Sequence, residues 1–175
     1  MTKYLLSIGH KRIAFLGADN GASNPYSSSS RRLEGFKQAL RDAGLAFFDD
    51  QYLALASGDY SFRSSIVAAN KLLTRKDRPT ALFCVADILA IGAVRAAQQL
   101  HLRVPKDVSI TGFDNVEYAT MMQPQITTVQ QPCYELGTDA CEMLFRRMAG
   151  GEAEQVFADH QLVLRQSTAE FSAGI

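Results

Sequence analysis

Apolar residues gather in four short runs at similar intervals, over residues 13–18, 52–56, 81–85 and 108–113. The first three runs are each followed by a stretch in which apolar positions recur every three or four residues, the spacing of an amphipathic helix. The first stretch, over 30–43, places Leu33, Phe36, Ala39 and Leu40 on one face and meets a stop signal at Gly44. The second, over 61–73, does the same with Ile66, Ala69, Leu72 and Leu73, and Pro79 then resets the chain. The third, rich in small residues, runs from Asp87 to Leu100. The run at 81–85 is almost wholly apolar, as a strand covered on both sheet faces must be. This alternation predicts βαβ units and an α/β fold: an open, mostly parallel sheet with flanking helices.

Beyond residue 113 the rhythm breaks. Pro124 and Pro132 bracket Ile126-Thr127-Thr128-Val129, a strong helix follows over 134–148, and Gly150-Gly151 closes it. A last strand is expected over 160–165, with a frayed tail from Ala169. At the other end, Tyr4, Leu5 and Ile8 form a helical pattern with no strand before it, so the start reads as that of a fragment.

Nearly half of the 175 residues are apolar, enough for one ordinary core. Eighteen basic and eighteen acidic residues cancel, so no global field exists to hold a polyanion such as DNA. Cys84, Cys133 and Cys141 are odd in number, far apart and without ligand spacing. They argue against a disulfide scaffold or a zinc site and fit a reducing cytoplasm. Gly9, His10, Lys11 and Arg12 interrupt the apolar N-terminal residues before a secretory core or a membrane span is complete.

In open α/β sheets, ligands bind outside the carboxyl ends of the strands. The loops there offer Ser27 to Arg32, Asp59 and Tyr60, Ala86 and Asp87, and Asp114 and Asn115. Arginine forks and carboxylates bind hydroxyls in fixed geometry, and an aromatic ring covers the apolar face of a sugar or purine. The inventory suits a small polyol, sugar, nucleoside or purine. Each piece also has a plainer reading: Ser30 as a helix N-cap, Asp87 as the cap of its own helix and nothing more, Tyr60 as a lid on the core, Asp114-Asn115 as turn chemistry. Arg31 and Arg32 fall in a first helical turn, where positive charge opposes the helix dipole, so one of them calls for an external anionic or hydroxyl partner.

Enzymatic readings lack their parts. There is no GxxxxGK[ST] loop, GxGxxG fingerprint, GxSxG elbow or HExxH pair. His10 precedes a strand, His101 follows a helix and His160 opens the last strand, which places none of them as a base for the cleft. Asp87 and Asp114 resemble part of a phosphotransfer receiver's acidic pocket, but the early acidic pair and the later lysine are missing. No catalysis, metal or cofactor is expected.

Seven segments in order form a more specific pattern. They are the passage from Tyr4 through Gly9-His10-Lys11-Arg12-Ile13 to Gly17, Arg32-Leu33-Glu34-Gly35-Phe36, Gly58-Asp59-Tyr60-Ser61-Phe62, and Ala86-Asp87-Ile88-Leu89-Ala90-Ile91-Gly92-Ala93. Then come Val104-Pro105-Lys106-Asp107-Val108 through Gly112-Phe113-Asp114-Asn115, Ile126-Thr127-Thr128-Val129, and Leu164-Arg165-Gln166-Ser167-Thr168. Together they resemble the effector-binding part of LacI/GalR-family transcriptional regulators over essentially the whole chain. The resemblance implies a periplasmic-binding-protein-like (type I) fold of two subdomains clasping an effector, with the DNA-binding headpiece and most of the first subdomain absent. On that reading 13–113 with 160–168 form the second subdomain, while 1–12 and 126–148 are pieces of the first. The crossing helix and the N-terminal one would then lack the sheet they normally cover, exposing apolar surface.

Carried over position by position, Arg32 would fork onto effector hydroxyls or a carboxylate, Ser28 would assist, Tyr60 would stack and Asp114 would accept a hydrogen bond. Ala86 departs from the Asn, Ser or Asp that many relatives carry there, so no relative's ligand can be transferred. The implied function is that of a cytoplasmic, homodimeric repressor. It binds a sugar, nucleoside or purine-like effector, and operator DNA through a headpiece outside this chain. The rivals are a solute-binding receptor of a sugar transporter and, further off, a phosphotransfer or sugar-processing enzyme.

Overall fold

The computed structural model describes residues 1–19, 27–57, 60–152 and 155–172. Its elements are α1 (Thr2–Ser7), β1 (Ile13–Asp19), α2 (Ser28–Asp42), α3 (Asp49–Tyr52), β2 (Leu53–Ser57), α4 (Phe62–Leu73), β3 (Ala81–Cys84), α5 (Asp87–Gln99), β4 (Ser109–Thr111), α6 (Tyr118–Met121), β5 (Thr128–Gln130), α7 (Cys133–Met148) and β6 (Gln161–Val163). Strands β1 to β4 pair in parallel in the order β2-β1-β3-β4. All four expected strands and their helices therefore form. The short helices α3 and α6 were not foreseen, because a single turn carries too little periodicity to register.

Strands β3 and β4 are buried along their whole length, and Ile13, Ala14, Phe15, Leu16 and Ala18 of β1 are at most 5% exposed. Both sheet faces must then be covered. Right-handed crossovers do this: the path β1-α2-β2 runs one way along the sheet and β2-α4-β3 runs back, which puts α2 on one face and α4 and α5 on the other. On the α2 face an aromatic cluster fills the layer, with Phe15 at 5.4 Å from both Phe36 and Phe83 between ring centroids. On the other face the small-residue helix α5 lets α4 approach closely, so that a Cβ at Gly92 would overlap the Ser65 hydroxyl. Helix α2 ends as its sequence implies: Gly44 adopts φ 69° and donates to the Arg41 carbonyl.

The segment after β4 runs along the sheet's last strand before leaving it. Gly112 N and Asp114 N donate to the carbonyls of Thr127 and Val129 at 2.9 Å, and β5 then pairs antiparallel with β6. Helix α7 has no buried residue; Tyr134 is 84% exposed, Phe145 68% and Met148 74%. Of the two helices expected to lack cover, only α7 does. Helix α1 docks instead, with Leu5 fully buried and the Tyr4 hydroxyl 2.9 Å from Thr168 Oγ1.

The tail corrects the expectation of fraying. Phe171 N donates to Ile8 O at 2.8 Å, and the Ala169 carbonyl lies 3.1 Å from His10 Nε2. Gly9 makes room for this strap: at φ 90°, a Cβ there would stand 3.1 Å from the Phe171 carbonyl. His10 is the anchor. Its Nδ1 is 2.9 Å from Thr80 Oγ1 and its Nε2 3.0 Å from Ser109 Oγ, so one buried ring joins the starts of β1, β3 and β4 to the tail.

Two outcomes follow from this architecture. Burial holds the His10 pKa below its ordinary value of 6.5, so the folded state favours the neutral ring more than the unfolded chain does. The stability drawn from that ring is present above pH 6.5 and is lost as pH falls toward the folded value. In urea titrations the advantage of the wild type over His10→Ala should therefore be largest near neutrality and shrink between pH 7 and 5. The bare apolar face of α7 should make the protein self-associate with rising concentration, and Phe145→Glu should reduce this in light scattering without lowering the melting temperature.

Candidate functional site

The strand order reverses between β1 and β3, which opens a crevice at their carboxyl ends. The residues expected there fall partly outside the described ones: 20–26, which hold the first part of the serine loop, and Gly58-Asp59. Helix α2 begins at Ser28, with Ser27 rather than Ser30 as its N-cap; Ser27 Oγ accepts from Ser30 N at 3.1 Å. That register moves Arg32 past the first turn. Arg31 is exposed, whereas Arg32 reaches across the reversal point.

Arg32 has partners inside the protein. Its Nη1 donates to the Val85 carbonyl at 2.6 Å, just past the end of β3. Its guanidinium carbon lies 3.7 Å from the centroid of the Phe113 ring, and its Nη2 is 3.6 Å from Asp114 Oδ1. The two charged side chains are 18% and 32% exposed. Burial lowers the Arg32 pKa while Asp114 and Tyr60 raise it. Burial raises the Asp114 pKa while Arg32 and Gln131 lower it. Both ions are partly desolvated and separated by more than a hydrogen bond.

Asp114 is aimed at this point by its backbone. Asp114 and Asn115 adopt φ 111° and 58°, as the turn reading expects. Gln131 Nε2 donates to Asp114 Oδ1 at 2.6 Å, and Arg165 Nη2 to Asn115 Oδ1 at 2.6 Å. Tyr60 packs half-buried on the edge of the core, within electrostatic reach of Arg32. Arg32, Tyr60 and Asp114 are thus brought together. Ser28 is exposed one turn before Arg32 on α2.

Asp87 does more than start its helix. Ala86 is the N-cap, and the buried Asp87 carboxylate accepts from Val116 N at 2.9 Å and from Thr128 Oγ1 at 2.6 Å. It ties the crossing segment to the carboxyl ends of β3 and β4, which a purely local capping role would not do. Burial raises its pKa above the ordinary carboxylate value, against the hydrogen bonds that lower it.

Beneath Arg32 lies a largely apolar cavity of about 340 Å³, bounded by Phe36, Phe83, Phe113 and Val129 with His160 on its wall. His160 was expected to stand clear of the cleft; it directly precedes β6, whose antiparallel pairing with β5 brings it beside Val129 on this wall. Sequence reasoning also missed Phe113 and Gln131. Phe113 reads as the end of an apolar strand, and Gln131 reaches Asp114 only because β5 lies beside residues 112–114. Among the described residues, no group of three or more His, Cys, Asp or Glu side chains could hold a metal ion. No helix there is long and apolar enough to cross a membrane.

A family model described as a periplasmic binding protein-like domain matches residues 2–168. The HTH-type transcriptional repressor PurR of Vibrio vulnificus is 36% identical over 168 residues, 95% of this chain and 48% of PurR. A LacI-type putative transcriptional regulator from Bacillus cereus has a similar solved structure, with a TM-score of 0.85 and 30% identity over 98% of this chain and 59% of that one. The solved complex of the transcriptional regulator CelR with cellobiose gives a TM-score of 0.82 and 28% identity over 95% of this chain and 49% of that one. The chain spans about half the length of the curated relatives it matches.

Removing the Asp87 carboxylate should unfasten the crossing segment. Asp87→Ala leaves the Val116 amide and the Thr128 hydroxyl unpaired, at a cost of about 2–4 kcal/mol. Denaturant unfolding should register that loss, with a smaller one for Thr128→Val; equal stability of Asp87→Ala and wild type would reject the tie.

Proposed function

Since the chain belongs to the periplasmic binding protein-like domain family, in the form carried by LacI-type transcriptional regulators, we propose that it is the ligand-sensing domain of a DNA-binding repressor. The observation that carries this reading is the Arg32–Asp114 pair at the strand-order reversal. At 3.6 Å the two charges attract without forming a hydrogen bond. A ligand hydroxyl set beside the pair accepts from the guanidinium and donates to the carboxylate, bridging the two. Tyr60 covers the ligand's flat face, and Ser28 adds a hydroxyl contact one turn before Arg32.

The effector is accordingly a small polyhydroxylated molecule of the sugar, nucleoside or purine type, and it is bound without being turned over. The cellobiose in the CelR complex supports a sugar for that relative and makes sugars the first class to try here. Residues 13–113 with 160–168 form one subdomain in this reading, and 1–12 and 126–148 belong to the other. Asp114 connects them through Gln131, two residues before α7. An effector that binds one subdomain arrangement more tightly than the other shifts their equilibrium by that difference in affinity. In a cytoplasmic homodimer, the shift changes the fit of two headpieces, outside this chain, to a palindromic operator.

Titration of sugars, nucleosides and purines, followed by calorimetry and thermal shift, tests the reading: one class should bind and raise the melting temperature. A hydrogen bond to a charged group contributes about 1.5–3 kcal/mol, so Arg32→Ala should weaken that ligand roughly ten- to hundredfold. Undiminished binding by Arg32→Ala, or no binding from any class, would sink the assignment.

A further inference from the structure

The opposite end of the sheet carries a concavity of different chemistry. Where the chain leads into β1, β3 and β4, a cavity of about 550 Å³ is lined by Arg12, Arg75, Lys76, Arg78 and Lys106, with Asp77 and Asp107. Five cations face two carboxylates on a chain whose formal net charge is zero. Both carboxylates are already engaged. Asp77 pairs with Arg75 at 3.1 Å, and Asp107 accepts from Nε and Nη2 of Arg103, which is not on the cavity wall, at 2.9 Å each. Arg12, Lys76, Arg78 and Lys106 are in no salt bridge among the described residues. Arg12 acts electrostatically on Asp77 and Arg78 on Asp107, and Arg12 Nε donates to the Arg78 carbonyl at 3.4 Å, which sets the two residues side by side on the cavity wall.

Helix carbonyl ends attract cations and account for Lys71 in the last turn of α4. They do not account for Arg12, Arg78 and Lys106, which come from the loops leading into three different strands. Like charges gathered in one concavity repel each other and raise its potential, and a multivalent anion relieves that repulsion. The tail adds an apolar wall. Phe171, 39% exposed and held by its amide on Ile8, borders this cavity and an adjoining one of about 360 Å³ that also reaches Lys11.

We propose that this amino-end cavity is a second binding site, for a nucleotide-type phosphate ester. Its phosphates lie on Arg12, Lys76, Arg78 and Lys106, and its planar base rests against Phe171. Guanidinium forks and ammonium groups supply charge-assisted bonds to phosphate oxygens, and the ring supplies stacking surface. The site is independent of the Arg32 cleft, being at the other end of the strands.

The probes are pyrophosphate, ATP and adenosine, titrated into the purified protein at low and high salt. Pyrophosphate and ATP should bind, ATP more tightly, and both should weaken as salt rises. The Lys76→Gln/Lys106→Gln double variant should weaken both anions roughly tenfold or more, while Phe171→Ala weakens ATP and spares pyrophosphate. Thermal unfolding of each variant checks that the fold is retained. Absence of binding by either anion at millimolar concentration overturns the proposal. So does binding lost in Arg32→Ala but kept in the double variant, which would assign the anion to the other cleft. Equal affinities for ATP and pyrophosphate, or measurable binding of adenosine alone, reject a site that needs phosphate and ring together.

Discussion

A parallel sheet buried on both faces is the constraint from which the rest of this molecule follows. Each fully enclosed side chain such as Phe15, Leu16, Leu82 or Ile110 contributes about 1.5–3 kcal/mol only if helices cover its side of the sheet. Right-handed crossovers allow that cover in one way, with α2 on one face and α4 and α5 on the other. The chain must therefore reverse direction between β1 and β3, and the reversal leaves a crevice at the carboxyl ends. Arg32, at the beginning of the helix that follows β1, is placed to reach the carbonyl that follows β3.

The polar groups buried inside this frame act as fasteners. His10 gathers the amino ends of three strands and the tail, and Asp87 gathers the carboxyl ends and the crossing segment. Both are fully hydrogen-bonded, as burial requires. Their titration works in opposite directions. His10 is held neutral by burial, so it loses stabilising effect on acidification below its ordinary value of 6.5. Asp87 and Asp114, whose pKa values are raised from 3.8, stabilise most fully below that value and lose effect as pH rises through their folded values.

The two ends of the sheet consequently present different electrostatic settings. At the carboxyl end one cation and one anion, both partly buried, stand beside each other. At the amino end Arg12, Lys76, Arg78 and Lys106, in no salt bridge among the described residues, line a cavity with an aromatic edge. Partial desolvation makes the first pair selective for hydrogen-bonding geometry, whereas the second cluster acts through field strength and is open to screening by salt.

Much of this was legible in the order of residues. The apolar runs and helical faces are consequences of burial periodicity, which is local, and they placed β1 to β4, α2, α4, α5 and α7 within a few residues. Gly44 and Gly150 closed their helices because a left-handed φ is a property of the residue itself. The loops holding Arg32, Tyr60 and Asp114 were identified from strand polarity alone. What the order of residues left open depends on neighbours distant along the chain. Asp87 looked like a cap because its true partners lie 29 and 41 positions away. The tail looked frayed because His10, which holds it, is 159 residues earlier. The internal partners of Arg32 were hidden because the Phe113 face and the Val85 carbonyl meet it only once β3 and β4 lie side by side. Periodicity and residue type determine which segments fold and which side of each is wet; the pairing of buried polar groups is decided by tertiary packing, since only there do donors and acceptors lose water and need each other.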